Sequence, residues 1–171
     1  MVQGFQPIAS FNYGAKNFKR VIETVKISTK YLIVYSTIGF LIIQIFPNSI
    51  IRIFNNDADL ITLGSKAIRF VTILIPLIGV QIIAASLFQA LGKAKPALVI
   101  SMSRQTLFLI PLVLIMPKIN NLGLIGIFAA FPIADFMAII LSFILLKKEI
   151  NLLHKTEEQL IIENYNEKSL N

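Results

Sequence analysis

The sequence predicts an all-α membrane protein with four transmembrane helices and the end of a fifth. The chain has 171 residues, of which 56% are hydrophobic and only 15% charged, whereas soluble domains are about a quarter charged. A soluble domain of this length could not remove so much apolar surface from water. The charged residues also cluster at the ends of apolar stretches that are long enough to cross a bilayer.

Four apolar stretches predict the membrane spans, at roughly 31–48, 70–91, 97–116 and 122–146. The first two contain no charged residue, the third contains Arg104 and the fourth contains Asp135. Asp57 is suited to cap a short amphipathic helix over residues 57–69 that leads into the second span. Residues 2–12 are too short to cross a membrane, and they predict the end of a helix whose first part is missing from this chain.

Basic residues predict how the spans are oriented. Eleven Lys and Arg residues lie on one side of the predicted spans and four on the other, which places the first side in the cytoplasm. Both ends of the chain are then cytoplasmic, in a multi-pass protein of the plasma membrane. Residues 151–171 are polar and predict a cytoplasmic tail that forms an interfacial helix. The eleven are Lys16, Lys19, Arg20, Lys26, Lys30, Lys93, Lys95, Lys147, Lys148, Lys155 and Lys168.

The composition also excludes several classes of function. The chain has no cysteine, and its single histidine, His154, lies in the polar tail, so we expect no metal centre, disulfide or histidine-based catalysis. No phosphate-binding loop is present, so neither a nucleotide cofactor nor ATP-driven transport is expected. The net charge of +7 is explained by membrane topology rather than by a nucleic-acid partner. The sequence therefore predicts a membrane protein that is not an enzyme.

Residues 4–20, GFQPIASFNYGAKNFKR, resemble the end of the eighth helix and the following loop of the multidrug and toxic compound extrusion (MATE) family. Members show a pattern like G-x-Q-P-I-x-S-Y-N-Y-G-A-K, from which Phe11 departs by replacing a tyrosine. The positions that carry the match are Gly4, Gln6, Pro7, Ser10, Asn12, Tyr13, Gly14, Ala15 and Lys16.

Three further stretches resemble the family in order and spacing. They are residues 88–95 (FQALGKAK), residues 103–112 (SRQ followed by IPL) and residues 130–135 (AFPIAD), which look like parts of the tenth, eleventh and twelfth helices. The resemblance implies that residues 1–150 form part of the C-terminal lobe of a two-lobed transporter with twelve helices, whose N-terminal part is absent here. It also implies export of amphipathic or cationic drug-like compounds by antiport.

The coupling ion is expected to be a proton rather than sodium, because residues 70–92 lack the acid that some sodium-coupled members carry in the tenth helix. Asp135 is the candidate for ion coupling. An acid inside a span is costly, and burial favours its neutral form, so it is suited to exchange a proton. The alternative is a hydrogen-bonded Asp135 that holds two helices together.

Four further polar residues in the spans are candidates for lining a substrate cavity. Arg104 either does so, reaches the cytoplasmic headgroups, or pairs with Asp135 or a lipid phosphate. Gln105 lies beside it. Gln81 and Gln89 share one face of the second span, which either lines the cavity or packs against a neighbouring helix through small residues.

Prolines interrupt three of the spans, and two other functions remain open. Pro76, Pro111 and Pro132 each remove a helix hydrogen bond, and such kinks act either as hinges or as tolerated breaks. One alternative is a flippase of related fold for a lipid-linked precursor, which would need a more basic cavity. The other is a truncated non-functional remnant or a structural membrane subunit.

Overall fold

The computed structural model describes the backbone of residues 2–121 and 123–169, and the regular elements of this part are all helical. A π-helical segment, Ser103–Leu109, joins α6 to α7, and a 3₁₀ segment, Met116–Asn121, follows α7. The α-helices are α1 (Val2–Gly14), α2 (Phe18–Ile45), α3 (Pro47–Arg52), α4 (Ala58–Val71), α5 (Ile75–Ala90), α6 (Ala94–Met102), α7 (Ile110–Ile115) and α8 (Gly123–Ser169).

Within the described residues, three helical stretches are long and apolar enough to cross a membrane: Phe18–Ile45, Ala94–Ile119 and Gly123–Glu163. The bent pair α4 and α5 becomes a fourth if it is counted as one span. The predicted class, an all-α membrane protein with up to four spans and the end of a further helix, is therefore confirmed. Leu122, the predicted start of the fourth span, lies outside the described residues, as do Leu170 and Asn171 of the predicted tail.

The helices at two of the spans are longer than the apolar stretches that predict them. Helix α2 begins at Phe18 rather than near residue 31, because Asn17 caps it by accepting a hydrogen bond from the Arg20 amide at 3.3 Å. Helix α8 continues past the predicted span to Ser169, so the described part of the tail is an extension of this helix and not a separate one. The uncharged stretch of a sequence predicts the part of a helix that is in contact with lipid. Capping and packing determine where the helix itself begins and ends.

The second predicted span, residues 70–91, is not one straight helix. Helices α4 and α5 meet at an angle of 48° over the break that contains Thr72. Pro76 lacks the amide hydrogen that would bond to the Thr72 carbonyl, and the backbone bends there. Gln44 of α2 donates to the Arg69 carbonyl at 3.1 Å and to the Thr72 hydroxyl at 3.3 Å. A side chain from the neighbouring helix thus stabilises the bend.

The predicted short helix before this span is confirmed. Helix α4 covers Ala58–Val71, and the Asp57 side chain accepts hydrogen bonds from the amides of Asp59 and Leu60 at 2.9 and 3.0 Å. These bonds satisfy two amides that have no partner within the helix.

The turn between α1 and α2 is closed by two backbone hydrogen bonds. The Asn17 amide donates to the Asn12 carbonyl at 2.9 Å, and the Lys16 amide donates to the Tyr13 carbonyl at 3.0 Å. This pair of bonds is the Schellman arrangement that ends many helices. Lys16 adopts a φ of 54°, in the left-handed region that most residues avoid.

The turn between α5 and α6 has the same geometry. The Lys93 amide donates to the Phe88 carbonyl at 2.8 Å, and the Gly92 amide donates to the Gln89 carbonyl at 3.0 Å. Gly92 has a φ of 71° and occupies the position that Lys16 holds in the first turn. Glycine is the usual residue there because it has no Cβ to collide with the backbone.

A buried apolar cluster packs the two turns against α1, α2, α5, α6 and the later part of α8. We call the region that contains this cluster and the two turns the basic end of the molecule, because both turns and the flanking part of α8 carry lysines. Helices α2 and α5 also approach closely, since a Cβ on Gly79 would lie 3.0 Å from the Leu32 Cβ. The cluster includes Phe5, Ala9, Phe18, Val21, Ile83, Leu87, Leu91, Ile100, Leu146 and Leu153.

Candidate functional site

Four small buried residues lie along one face of α8, beside the residues of the candidate site. Ala130, Ala134, Ala138 and Ser142 recur every four residues, and each is 0% exposed. Residues at this spacing share one helix face, and their small size lets neighbouring helices approach. The spacing is visible in the sequence, although packing through small residues was predicted only for the second span.

Asp135 lies beside these four residues and forms an ion pair with Arg104 of the π-helical segment. The Arg104 Nε donates to one carboxylate oxygen of Asp135, and its Nη2 lies 3.4 Å from the other. The Asp135 side chain is 2% exposed and the Arg104 side chain 35% exposed. Of the alternatives for Arg104, the structure shows pairing with Asp135, and the 35% exposure leaves part of the Arg104 side chain accessible. The pair also links two spans, as the structural alternative for Asp135 requires.

The π-helical segment follows from the proline downstream of Arg104. Pro111 has no amide hydrogen, and in a regular helix its ring would collide with the carbonyl four residues earlier. The chain instead widens its turn, so that the Ile110 amide donates to the carbonyl of Gln105, five residues earlier. Such single-turn widenings often occur at functional sites. Pro111 therefore alters the helix that presents Arg104 to α8.

The carbonyl of Ile100 fixes the start of this segment. It accepts hydrogen bonds from the Ser103 hydroxyl at 2.7 Å and from the Gln81 amide nitrogen Nε2 at 3.2 Å. Gln81 is buried, and its Oε1 has no hydrogen-bond partner among the described residues. The structure thus places Gln81 in the packing between α5 and α6, which is the alternative to its predicted place in a cavity. The Gln81 amide nitrogen adds a hydrogen bond to a carbonyl that also accepts one from the Ser103 backbone amide.

Gln89 is exposed and joins two of the stretches that resemble the MATE family. Its Oε1 accepts a hydrogen bond from Gln6 Nε2 at 2.7 Å, which links α5 to α1. Gln105 is also exposed. Gln89 and Gln105 are therefore accessible at the surface of the described residues, whereas Gln81 is not.

Other residues of the first stretch build α1 and its turn. Asn12 Nδ2 donates to the Ile8 carbonyl at 2.8 Å, and the Ser10 hydroxyl donates to the Pro7 carbonyl at 3.2 Å. The Tyr13 and Phe18 rings meet edge to face, with their centroids 5.7 Å apart. Gly14, Ala15 and Lys16 form the turn itself, and Gly4 lies within the first turn of α1.

A second ion pair, which was not predicted from the sequence, lies at the basic end. Lys93 Nζ and Glu149 Oε1 are 2.6 Å apart, and the Glu149 side chain is 8% exposed. Both residues flank predicted spans, where charge is expected to face water, and nothing in their spacing reveals the contact. Among the described residues, no group of three or more acidic or histidine side chains could hold a metal ion.

The chain is similar to known transporters in both sequence and structure. The model of the MatE family matches residues 1–115. An FAD transporter of Shewanella oneidensis is 24% identical over 131 residues, which are 77% of this chain and 28% of that protein. The MATE multidrug transporter DinF-BH, whose structure is that of a complex with a ligand, is 43% identical, with a TM-score of 0.82 over 90% of this chain and 34% of that one.

A multidrug resistance MATE family transporter of the MOP superfamily has the same fold at 18% identity. Its inward-facing and outward-facing conformations both match with a TM-score of 0.84, over 91% of this chain and 36% and 35% of that one. The chain thus spans about a third of the length of the transporters it matches. The resemblance seen in the sequence is confirmed, and this chain belongs to the MatE family of membrane transporters.

Proposed function

We propose that this chain is part of a secondary active exporter that moves amphipathic or cationic drug-like compounds out of the cell in exchange for protons. The observation that carries the proposal is the 43% identity to DinF-BH, a multidrug transporter whose structure is that of a complex with a ligand. The lobe described here would rock against the rest of the transporter around a central cavity, as secondary transporters generally do.

The buried pair of Asp135 and Arg104 is the proposed point of proton coupling. In the ionised state, the two hydrogen bonds from Arg104 hold the π-helical segment against α8. A proton on the Asp135 carboxylate removes its charge and weakens both bonds. Arg104, whose side chain is already 35% exposed, is then free to turn toward water. Loss of the contact would loosen α8 from the third span, and release of the proton would restore it.

Gln89, Gln105 and Arg104 are the proposed cavity residues on this lobe. Gln89 and Gln105 are exposed, and Arg104 is partly exposed. Amide side chains can donate and accept hydrogen bonds without carrying charge, which suits compounds of varied structure. Gln81 is buried between helices, so we propose that it supports the third span rather than contacting the substrate.

The test is ethidium transport into everted membrane vesicles that contain the intact transporter to which this chain belongs, with a proton gradient imposed across the membrane. We expect Asp135→Asn to remove the gradient dependence of ethidium accumulation, because an amide at this position does not ionise. Asp59→Asn is the matched control, since Asp59 is an exposed acid in the first turn of α4. It should leave accumulation unchanged.

The outcomes separate the parts of the proposal. Gradient-dependent accumulation that survives in Asp135→Asn would contradict the role of Asp135 but not export itself. Accumulation that follows an imposed sodium gradient instead would contradict proton coupling. Equal accumulation with and without the intact transporter, at verified expression, would contradict export and favour a structural membrane subunit.

Two other substrate classes can be tested in the same vesicles. The similarity to an FAD transporter makes FAD a candidate substrate, and a lipid-linked precursor would be the substrate of a flippase. Both compounds are anionic. The apolar stretches of the sequence contain a single basic residue, Arg104, whose charge is paired with Asp135. We therefore expect FAD to compete poorly with ethidium.

A further inference from the structure

A groove of about 420 Å³ lies at the basic end, where the turn between α5 and α6 meets α8. Its walls combine two kinds of surface. Lys93, Lys148 and Lys155 supply positive charge, and Glu149 supplies one negative charge. Leu145 and Leu152 of α8 supply apolar surface, together with Phe88 and Pro96 on the opposite wall. The groove is separate from the pair formed by Arg104 and Asp135.

The order of residues along α8 divides the groove into an apolar and a basic part. Leu145, Lys148, Leu152 and Lys155 follow one another at intervals of three or four residues, so they lie on one face of the helix. Leu145 belongs to the apolar stretch of the last span, whereas the lysines lie beyond its end. Beyond the groove, Val99 lies one turn past Pro96 toward the centre of the third span and is 43% exposed. An apolar track therefore leads from the basic part into the membrane.

The charge of the groove is only partly neutralised. Lys93 is paired with the buried Glu149 at 2.6 Å. Lys148 and Lys155 are exposed, and the described residues provide neither of them with an ion-pair partner. Three positive charges and one negative charge leave a formal charge of +2. About 10 Å of helix separates Lys148 from Lys155, a distance that two lysine side chains can close on one anionic group.

We propose that this groove binds an anionic phospholipid, with the phosphate between Lys148 and Lys155 and an acyl chain along Leu145 and Pro96. A basic pocket between membrane helices is the kind of site that recognises such headgroups on the cytoplasmic side. The sequence predicts that the basic end is cytoplasmic, where anionic lipids are available. A free anion would use the lysines but not the apolar track, and a neutral lipid would use the track but leave the charge unsatisfied.

The test is native mass spectrometry of the purified protein in mild detergent, titrated with phosphatidylglycerol or with phosphatidylethanolamine. We expect phosphatidylglycerol to bind more tightly, and the paired substitution Lys148→Gln and Lys155→Gln to weaken it. Each lysine near a membrane surface strengthens binding of an anionic lipid about fivefold, so replacing both lysines should weaken binding roughly 25-fold. Phosphatidylethanolamine binding should not change.

Two control proteins separate a specific site from general charge. Lys66→Gln with Lys118→Gln removes the same charge from exposed residues away from the groove, and it should leave phosphatidylglycerol binding intact. Lys148→Arg with Lys155→Arg keeps the charge and should retain binding. The proposal is overturned if both Gln pairs weaken binding equally, or if the groove pair has no effect. It is also overturned if inorganic phosphate displaces the lipid at equal concentration, because the groove would then be an anion site only.

Discussion

Removing one partner of the Arg104 and Asp135 pair should destabilise the protein by an amount that depends on which partner remains. Breaking a buried ion pair typically costs about 3–5 kcal/mol, because the remaining charge is left without compensation. Arg104→Met leaves the Asp135 carboxylate, which is 2% exposed, without a partner, so the expected cost is at least about 3 kcal/mol. Asp135→Asn leaves an arginine that is 35% exposed and can reach water, so the expected cost is only about 1 kcal/mol.

A double-mutant cycle measures this asymmetry. The free energy of unfolding is determined for the purified protein in detergent, for each single variant and for the double variant. The double variant should be more stable than Arg104→Met alone, because it buries no unpaired charge. Two results would refute the reasoning: a cost for Asp135→Asn that equals or exceeds that of Arg104→Met, or costs that simply add in the double variant.

Two further substitutions test how the spans pack, with the same stability assay. Gly126→Ala would place a Cβ 2.8 Å from a backbone carbonyl of the 3₁₀ segment and should cost about 1–3 kcal/mol. Gly39→Ala, whose added Cβ meets open space in α2, is the control, and a loss as large there would show that the collision is not the cause. Gln44→Leu removes the donor to the Arg69 carbonyl at the bend between α4 and α5 and should cost about 1 kcal/mol. Gln105→Leu, on an exposed side chain, should cost little, and equal losses at the two glutamines would contradict this role for Gln44.

The sequence was sufficient to predict the fold class and the approximate places of the spans, because lipid imposes a strong rule on composition. Apolar residues must fill about 30 Å of hydrocarbon, and charge is excluded from it. The two charged residues that lie inside the predicted spans, Arg104 and Asp135, form an ion pair with each other. A charged residue inside an apolar span therefore indicates a candidate site more clearly than the apolar residues around it do.

Helix shape was harder to predict than helix position. Pro76 and Pro111 each indicated a break, but not its form. Pro76 is accompanied by a bend of 48° between α4 and α5. Pro111 follows a π-helical segment, and the stretch Ala94–Ile119 that contains both is still counted as one helix. Side chains of neighbouring helices contact the backbone at both places: Gln44 donates to the Arg69 carbonyl at the bend, and Gln81 donates to the Ile100 carbonyl just before the π-helical segment. Contacts between spans of this kind leave no periodic pattern in the sequence.

Contacts at the basic end were missed for a related reason. Lys93 and Glu149 are 56 residues apart, and each is what the end of a span would carry in any case. The hydrogen bond between Gln6 and Gln89 likewise joins distant parts of the chain. Only the folded arrangement of α1, α5 and α8 brings these residues together.

The length of α8 has a mechanical consequence. The 47 residues of Gly123–Ser169 form one continuous helix of about 70 Å along its axis, more than twice the thickness of the hydrocarbon core. The part beyond Leu146 is about 35 Å long, so a change of about 10° in the tilt of the span would displace its tip by about 6 Å. Leu153 packs on this arm against the cluster that holds the turn between α1 and α2. Leu153 lies about 10 Å beyond Leu146, so the same change in tilt would move it, and the turn held by its cluster, by about 2 Å.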